Sequence, residues 1–283
     1  MEQRKGIGTM FIKTEQCIGC GKCAEDCVSG LIELLNGKAT LKKGYCPQCG
    51  HCAAVCPVGA VKFAYGSNED LLPYQQDKFS VPPENLLNFM KFRRSIRHYT
   101  GREVEPDILL KILEAGRYAP TGANQQETRY IILKEQREEI CARAVKALYD
   151  AAQRMGKGDQ WLRSALPYRN KWIQMYEDLV NQGKDGLFYH APCVILTVTA
   201  DPQGTGQLDA GLASAYMDLM TNALGLGACF IGFFSWAAAL EPTLRDSIGL
   251  RNHERLVSAM TIGYPDVRYY RTVERKAVNM EIL

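Results

Sequence analysis

Eight of the chain's eleven cysteines lie between Cys17 and Cys56, and they are written twice. Cys17-x2-Cys20-x2-Cys23-x3-Cys27 is followed by Cys46-x2-Cys49-x2-Cys52-x3-Cys56-Pro57, offset by 29 residues throughout. A duplicated unit is the simplest origin of such a pattern. The density alone would suit disulfides in a short secreted protein. Met1 to Phe11 (MEQRKGIGTMF), however, has no apolar core of a signal peptide, so the thiols are expected to be reduced and used as ligands. A structural zinc site builds one tetrahedron from two close pairs, which leaves the third cysteine of each triplet without a role. Cys141, Cys193 and Cys229 have no cysteine nearby in sequence and are expected to be buried small hydrophobes.

Three cysteines spaced by three on a turning backbone can aim their thiolates at three corners of an iron-sulfur cube, with a more distant ligand at the fourth. The stretch resembles the 2x(4Fe-4S) bacterial ferredoxin family over about sixty residues, and in that pattern the last cysteine of each run serves the other run's cluster. The resemblance implies one 4Fe-4S cluster on Cys17, Cys20, Cys23 and Cys56, and a second on Cys46, Cys49, Cys52 and Cys27. Gly19, Gly21 and Gly50 suit tight turns whose N–H groups face cluster sulfurs, and Gly30-Leu31-Ile32 answers Gly59-Ala60-Val61. Val28 stands where the pattern has a proline, a residue that shapes backbone and supplies no ligand. His51 lies inside the second run, but all eight cysteine positions are filled, so it is expected beside the ligands or exposed.

At 283 residues, with 46% hydrophobic and 23% charged residues, the chain has the composition of a globular protein long enough for two cores. Lys and Arg outnumber Asp and Glu only 34 to 31, giving +3, and no nucleic-acid partner is expected. Eight cluster-bound thiolates and two cubane cores of about +2 would add about −4 to that charge. The longest charge-free stretch, Leu219 to Leu240, carries Asn222, Gly225, Gly227, Gly232 and Ser235 in an amphipathic pattern, so no membrane span is expected and a cytoplasmic location is. Gly66 to Glu84 is polar and turn-rich and ends in Pro82-Pro83. The expected organisation is a small domain over 1–65, a linker over 66–83 and a larger domain over 84–283.

Periodicity in the larger region predicts helices over Glu84 to Phe92, Pro106 to Tyr118, Arg137 to Met155 and Leu208 to Leu224. It predicts strands over Arg129 to Leu133, Val194 to Thr199, Ala228 to Phe234 and Leu256 to Ile262, an α+β fold class. Three local sequences carry chemistry. Arg93-Arg94-Ser95-Ile96-Arg97 places three guanidinium groups and a hydroxyl within five residues, a fork of donors suited to a phosphate, although a charge run is ordinarily a solvated face. Ala119-Pro120-Thr121-Gly122-Ala123-Asn124-Gln125-Gln126 follows a helix that stops at a proline, and reads equally as a plain helix-terminal turn. Gly225-Leu226-Gly227-Ala228-Cys229-Phe230-Ile231-Gly232 lets backbone approach a flat ring closely, or serves tight packing only.

In this order and spacing the three resemble the FMN-dependent nitroreductase family over most of Glu84 to Leu283. The resemblance implies an α+β fold that dimerises through long helices, with FMN in the interface. Arg93, Ser95 and Arg97 then match the residues on the FMN phosphate and ribityl chain, with Arg94 contributing by backbone or side chain. Pro120, Thr121 and Asn124 resemble the loop that reaches the flavin from the partner subunit. Ile231 and Gly232 sit where the family offers N–H groups to the flavin N5 region. Gly263-Tyr264-Pro265 followed by Arg275-Lys276 resembles the closing phosphate segment, a role for which Arg268 and Arg271 compete.

Trp161, Tyr168, Trp172 and Tyr176 would share a face if their segment were one helix, with Pro167 as the obvious break. Such a stripe is expected as core or subunit interface, the alternative being a lid over a flat substrate. A 4Fe-4S cluster passes one electron at a time and FMN accepts one or two, so their fusion implies a converter. The expected activity is oxidoreduction: electrons from a soluble ferredoxin or NAD(P)H pass through two 4Fe-4S clusters and FMN to a small conjugated acceptor, such as a nitroaromatic or a quinone. The same fold also carries reductive dehalogenation, dehydrogenation and flavin fragmentation, and a redox sensor or carrier without turnover is the non-enzymatic alternative.

Overall fold

The duplicated cysteine run folds as a duplicated backbone. In the computed structural model, which describes residues 10–64, 70–155, 161–200 and 204–283, equivalent positions of the two runs have matching conformations. Helix α1 (Lys22–Glu25) starts at Gly21 with φ 79°, and α2 (His51–Ala54) starts at Gly50 with the same φ. Gly30 and Gly59, at φ 59° and 60°, end the two turns, and Gly19 with φ 69° is answered by Gln48 with φ 56°. These left-handed torsions are open to glycine and strained for most other residues.

The chain divides into two units, Met1–Val81 with Ala123–Gln125, and Pro82–Gly122 with Gln126–Leu283. In the first, β1 (Met10–Ile12) pairs antiparallel with β4 (Val61–Phe63), Met10 opposite Phe63. A hairpin of β2 (Ile32–Leu35) and β3 (Lys38–Leu41) turns at Asn36-Gly37, both with positive φ, the sequence that a tight hairpin turn favours. Its core is small, formed by Met10, Leu31, Ile32, Ala60, Val61 and Phe63 around Cys17, Cys23, Cys46 and Cys52. The stretch expected as a linker contains a one-turn helix, α3 (Gln76–Phe79), with no buried residue; 66–69 lie outside the described residues.

The second unit is built on a four-stranded antiparallel sheet in the order β5 (Arg129–Leu133), β6 (Cys193–Thr199), β8 (Arg255–Gly263), β7 (Gly227–Phe230). Every residue of β6 is buried, Thr197 and Thr199 included, because both of its faces are covered. Alternate side chains divide between two cores. Val194, Leu196 and Val198 enter one core with residues of α6 (Arg137–Arg154), α7 (Arg169–Gln182) and α9 (Gly232–Leu240). Cys193 and Ile195 enter the other with α5 (Pro106–Arg117) and α8 (Gly206–Ala223). The fold class is α+β.

One expectation needs correction, and one conditional reading is decided. The strand expected to run from Ala228 to Phe234 stops at Phe230, and Gly232 opens α9. The aromatic pair Phe233-Phe234 reads locally as strand, but Phe234, Ala237 and Ala238 lie three and four residues apart and are buried together, so helical packing prevails. The aromatic stripe is not on one helix, because Trp161–Tyr168 is a 3-10 helix containing Pro167 and α7 begins only at Arg169. Trp172 is fully buried, edge-on to Phe233 and Trp236, whereas Tyr176 stacks on Tyr149 at 4.2 Å. Tyr168 is half exposed against Phe233, and the Trp161 side chain lies outside the described residues.

No described helix is long and apolar enough to cross a membrane. A short helix, α10 (Pro242–Ser247), leads into the loop before β8, where Arg129 meets the buried carboxylate of Glu254 with Nε–Oε1 at 2.8 Å.

Candidate cofactor sites

The cysteines of the first unit surround two cavities. Cys46, Cys49, Cys52 and Cys27 line one, together with Met10 and Phe63. Cys17, Cys20, Cys23 and Cys56 line a second, together with Ile12 and Ala60. The last cysteine of each run therefore faces the other run's cavity. All of these thiols are free, and among the described residues no three His, Cys, Asp or Glu side chains converge at the distances of a single metal ion. Each quartet lines a cavity of its own.

Backbone amides point at the sulfurs. Leu31 N–H donates to Cys27 Sγ (3.3 Å), Ala60 N–H to Cys56 Sγ (3.2 Å), Ala39 N–H to Cys17 Sγ (3.4 Å) and Gln48 N–H to Cys46 Sγ (3.4 Å). Such donors favour thiolate over thiol. The amides of Ala39 and Gly19 hold Cys17 below the ordinary thiol value, whereas burial pushes Cys23 up and Cys52 up to about 12. A buried thiolate of that kind is stable only beside positive charge, which metal supplies. His51 borders the first cavity, but it is exposed and its Nδ1 lies 3.9 Å from Asp26.

In the second unit the Arg93–Arg97 segment leaves α4 (Pro83–Phe92) and runs along β7, bridging Ser95 to Ala228, with Ile96 N–H on the Ala228 carbonyl at 2.9 Å. Gly227 makes this possible, since a Cβ there would come within 2.3 Å of Ile96. Tyr99 locks the turn, its hydroxyl on the Ile96 carbonyl and on Thr261, both at 2.8 Å. Arg93 Nη1 reaches Asp218 of α8 at 3.3 Å. Burial raises the Asp218 carboxyl above its usual value and Arg93 opposes the shift.

Arg94 donates through Nη1 to the carbonyls of Lys91 and Arg93, while its buried Nη2 has no partner. An orphaned buried guanidinium nitrogen is costly unless an acceptor arrives. Arg97 lies over the Tyr189 ring, 5.8 Å from its centroid. Burial pushes the Cys229 thiol up while Arg97 pulls it down. Tyr189 and His190 hold left-handed φ of 58° and 54°, in a loop whose Leu187, Phe188 and His190 amides all donate to the Asp185 carboxylate.

Other expected site residues separate. Pro120 and Thr121 follow α5 in the second unit, where Gly122 N–H donates to both carboxylate oxygens of Asp209 at 3.1 Å. Asn124 belongs to the first unit, and its Nδ2 donates to the carbonyls of Pro47 (3.2 Å) and Gln48 (2.8 Å). Ile231 does not offer its N–H to a ligand, because that group bonds the Ala259 carbonyl at 2.8 Å and closes β7 onto β8. Gly232 does open a helix, and a Cβ there would meet nothing within 4 Å. The segment after β8 returns to the cluster: Asp266 N–H bonds the His98 carbonyl and Thr100 N–H the Tyr264 carbonyl, each at 2.9 Å. Arg275 and Lys276 lie beyond it in an exposed, irregular tail. Asp218, Tyr189 and Asp209 were not among the expected residues; each is distant in sequence from the group it meets, and no local signal marks it.

Two cysteine-lined cavities in one unit, and an arginine-rich segment bridged to β7 in the other, are what an oxidoreductase with iron-sulfur and flavin cofactors would need. Residues 90–264 match the Nitroreductase family and residues 8–61 the 4Fe-4S dicluster domain, and the chain belongs to the nitroreductase family. An iodotyrosine deiodinase of Hydra vulgaris is 21% identical over 215 residues, 70% of this chain and 73% of the relative. A nitrobenzene nitroreductase of Ectopseudomonas oleovorans is 25% identical over 200 residues, 63% and 86% of the two chains. The fold is similar to that of a nitroreductase with bound FMN from Bacteroides fragilis, with a TM-score of 0.54 and 21% identity, covering 70% of this chain and 98% of that one.

Proposed function

We propose that this chain is a cytoplasmic, homodimeric FMN-dependent oxidoreductase that takes electrons from a one-electron donor such as ferredoxin, or from NAD(P)H. The electrons pass through two 4Fe-4S clusters and FMN to a small conjugated acceptor, a nitroaromatic or a quinone. The eight cysteines are the cluster ligands, divided as the two cavities divide them. The observation that carries the flavin part is the buried, unpartnered Arg94 Nη2 in a segment that gathers Arg93, Arg94, Ser95 and Arg97 against β7. Bound FMN would supply the exchange between one-electron and two-electron chemistry.

The chain's own residues bind and orient. Arg94 and Arg97 neutralise a phosphate, Ser95 donates a hydrogen bond, and Arg93 is held in place by Asp218. The open space over Gly232 admits a flat ring. Pro120, Thr121 and Asn124 belong to the loop that reaches a flavin across the dimer, and Arg275 and Lys276 to the closing segment. The dimer reading is supported by α4, whose Leu86, Leu87, Met90 and Phe92 are all exposed.

The test is anaerobic purification of the full chain, analysis for iron, sulfide and FMN, and a screen of donors against acceptors. The expected result is both cofactors bound, with turnover of a nitroaromatic or a quinone. Full loading without turnover of any acceptor would move the assignment to a carrier or sensor. A second reading, reductive removal of halide from an aromatic ring, is favoured by the likeness to iodotyrosine deiodinases, and halide release from an iodinated phenol distinguishes it.

A further inference from the structure

The two halves of the first unit match in backbone and differ in charge. Cys17 and Cys46 are 9% and 8% exposed and Cys23 and Cys52 both 7%, while Cys20 is exposed where its counterpart Cys49 is half-buried. Solvent access differs at that one pair of ligands, and charge and hydrogen bonding differ around the rest. On the Cys17 side, the β2–β3 hairpin is strapped to the ligand loop. Ala39 N–H donates to Cys17 Sγ, and Lys38 Nζ donates to the Cys17 carbonyl. The fit is close, since a Cβ on Gly19 would come within 2.1 Å of the Gly37 carbonyl oxygen.

The Cys56 loop, which closes the same cavity, also has a cation beside it: Lys62 Nζ lies 4.0 Å from where a Cβ on Gly59 would sit. The position 29 residues before Lys62 is Glu33, so the duplicated site has the opposite charge there. Asp26, next to the crossing ligand Cys27, adds a second carboxylate on that side, with exposed His51 Nδ1 3.9 Å away. Glu25 of α1 is exposed on the Cys17 side and opposes the trend, whereas Lys38 bonds a ligand residue directly.

We propose that Lys38, assisted by Lys62, poises the cluster on Cys17, Cys20, Cys23 and Cys56 at a higher reduction potential than its twin. An electron delivered to this unit by a one-electron donor then rests there. This rests on the ligand reading above. Reduction adds one electron and one negative charge to a cluster, and a fixed cation on a ligand residue stabilises the reduced form.

The test is an EPR-monitored potentiometric titration of the full-length protein, reconstituted anaerobically as wild type, Lys38→Gln and Lys38→Arg, with iron and sulfide assayed first. Two reductions should resolve in the wild type. In Lys38→Gln the upper one should fall by about tenfold in its reduced-to-oxidised ratio at fixed potential, about 59 mV for one electron. The lower one should stay, and Lys38→Arg should behave as wild type. Cys17→Ser should perturb the signal that Lys38→Gln moves. An unmoved upper reduction in fully loaded Lys38→Gln, or equal shifts of both, overturns the proposal. If the variant loses its clusters, the wild type decides by itself. Lys38 is exposed, so raising salt from about 0.05 M to about 1 M should narrow the gap, and a gap indifferent to salt overturns the proposal. A wild type lacking the iron and sulfide of two clusters would instead remove the ligand reading on which it rests.

Discussion

The two units solve the problem of folding in opposite ways. In the first, four of the twelve fully buried core residues are cysteines grouped around two cavities, and the strands run for only three or four residues. In the second, Trp172, Phe188, Phe234, Leu196 and Met217 are buried to within 2% on the two faces of one sheet. Apolar burial is the main source of stability, and a unit of the first size offers too little of it to fold without staples. The second has enough aliphatic and aromatic area to close without a ligand. The contrast teaches that cofactors have different standing in the two units: structural in the first, bound to a preformed scaffold in the second.

The sharpest way to break this comparison is to withhold iron. The first unit should then lose its fold altogether, with proteolysis confined to residues before Pro82, while the second keeps its circular dichroism. Survival of a protected first unit without metal would end the comparison. Next in size, Trp172→Ala should destabilise the second unit by about 3–5 kcal/mol in urea unfolding, because an indole wholly enclosed by Phe233 and Trp236 leaves a cavity. Cluster absorbance at low denaturant should be unchanged.

Arg97→Ala should weaken FMN binding by well over tenfold, about 2–5 kcal/mol for a lost charged partner, measured by fluorescence titration, and leave the unfolding midpoint of the apoprotein nearly unchanged. A parallel loss of stability would show that Arg97 is structural rather than a ligand group. The smallest effect concerns pH. The Arg129 hydrogen bond holds the Glu254 carboxyl below the usual carboxylate range. A carboxyl whose folded value is depressed stabilises the protein above its unfolded value, about 4.3, and loses that contribution as pH falls through the folded one. Glu254→Gln should cost the second unit about 1–2 kcal/mol near neutral pH and flatten the acid side of its stability profile. An unchanged acid limb in denaturant melts would remove Glu254 from that role.

What could be read in the sequence is what lies close along the chain. The 29-residue repeat, Gly21 and Gly50 as tight turns, and the β-branched, mostly apolar run of β6 are local patterns with local causes: a cysteine spacing, a left-handed torsion, a strand covered on both faces. The end of β7 was misread for the same reason. Phe233-Phe234 has a strand's composition, and only its packing as part of α9 shows otherwise. Tertiary structure alone decided which groups meet across the chain. Cys56 lines a cavity with Cys17, Asp218 receives Arg93 and Tyr189 lies under Arg97. It also withdrew Ile231 from the ligand donors by giving its N–H to Ala259. Spacing constrains torsions within a turn or two, but partners a hundred residues apart are chosen by how a sheet buries both its faces, and no short window of sequence contains that choice.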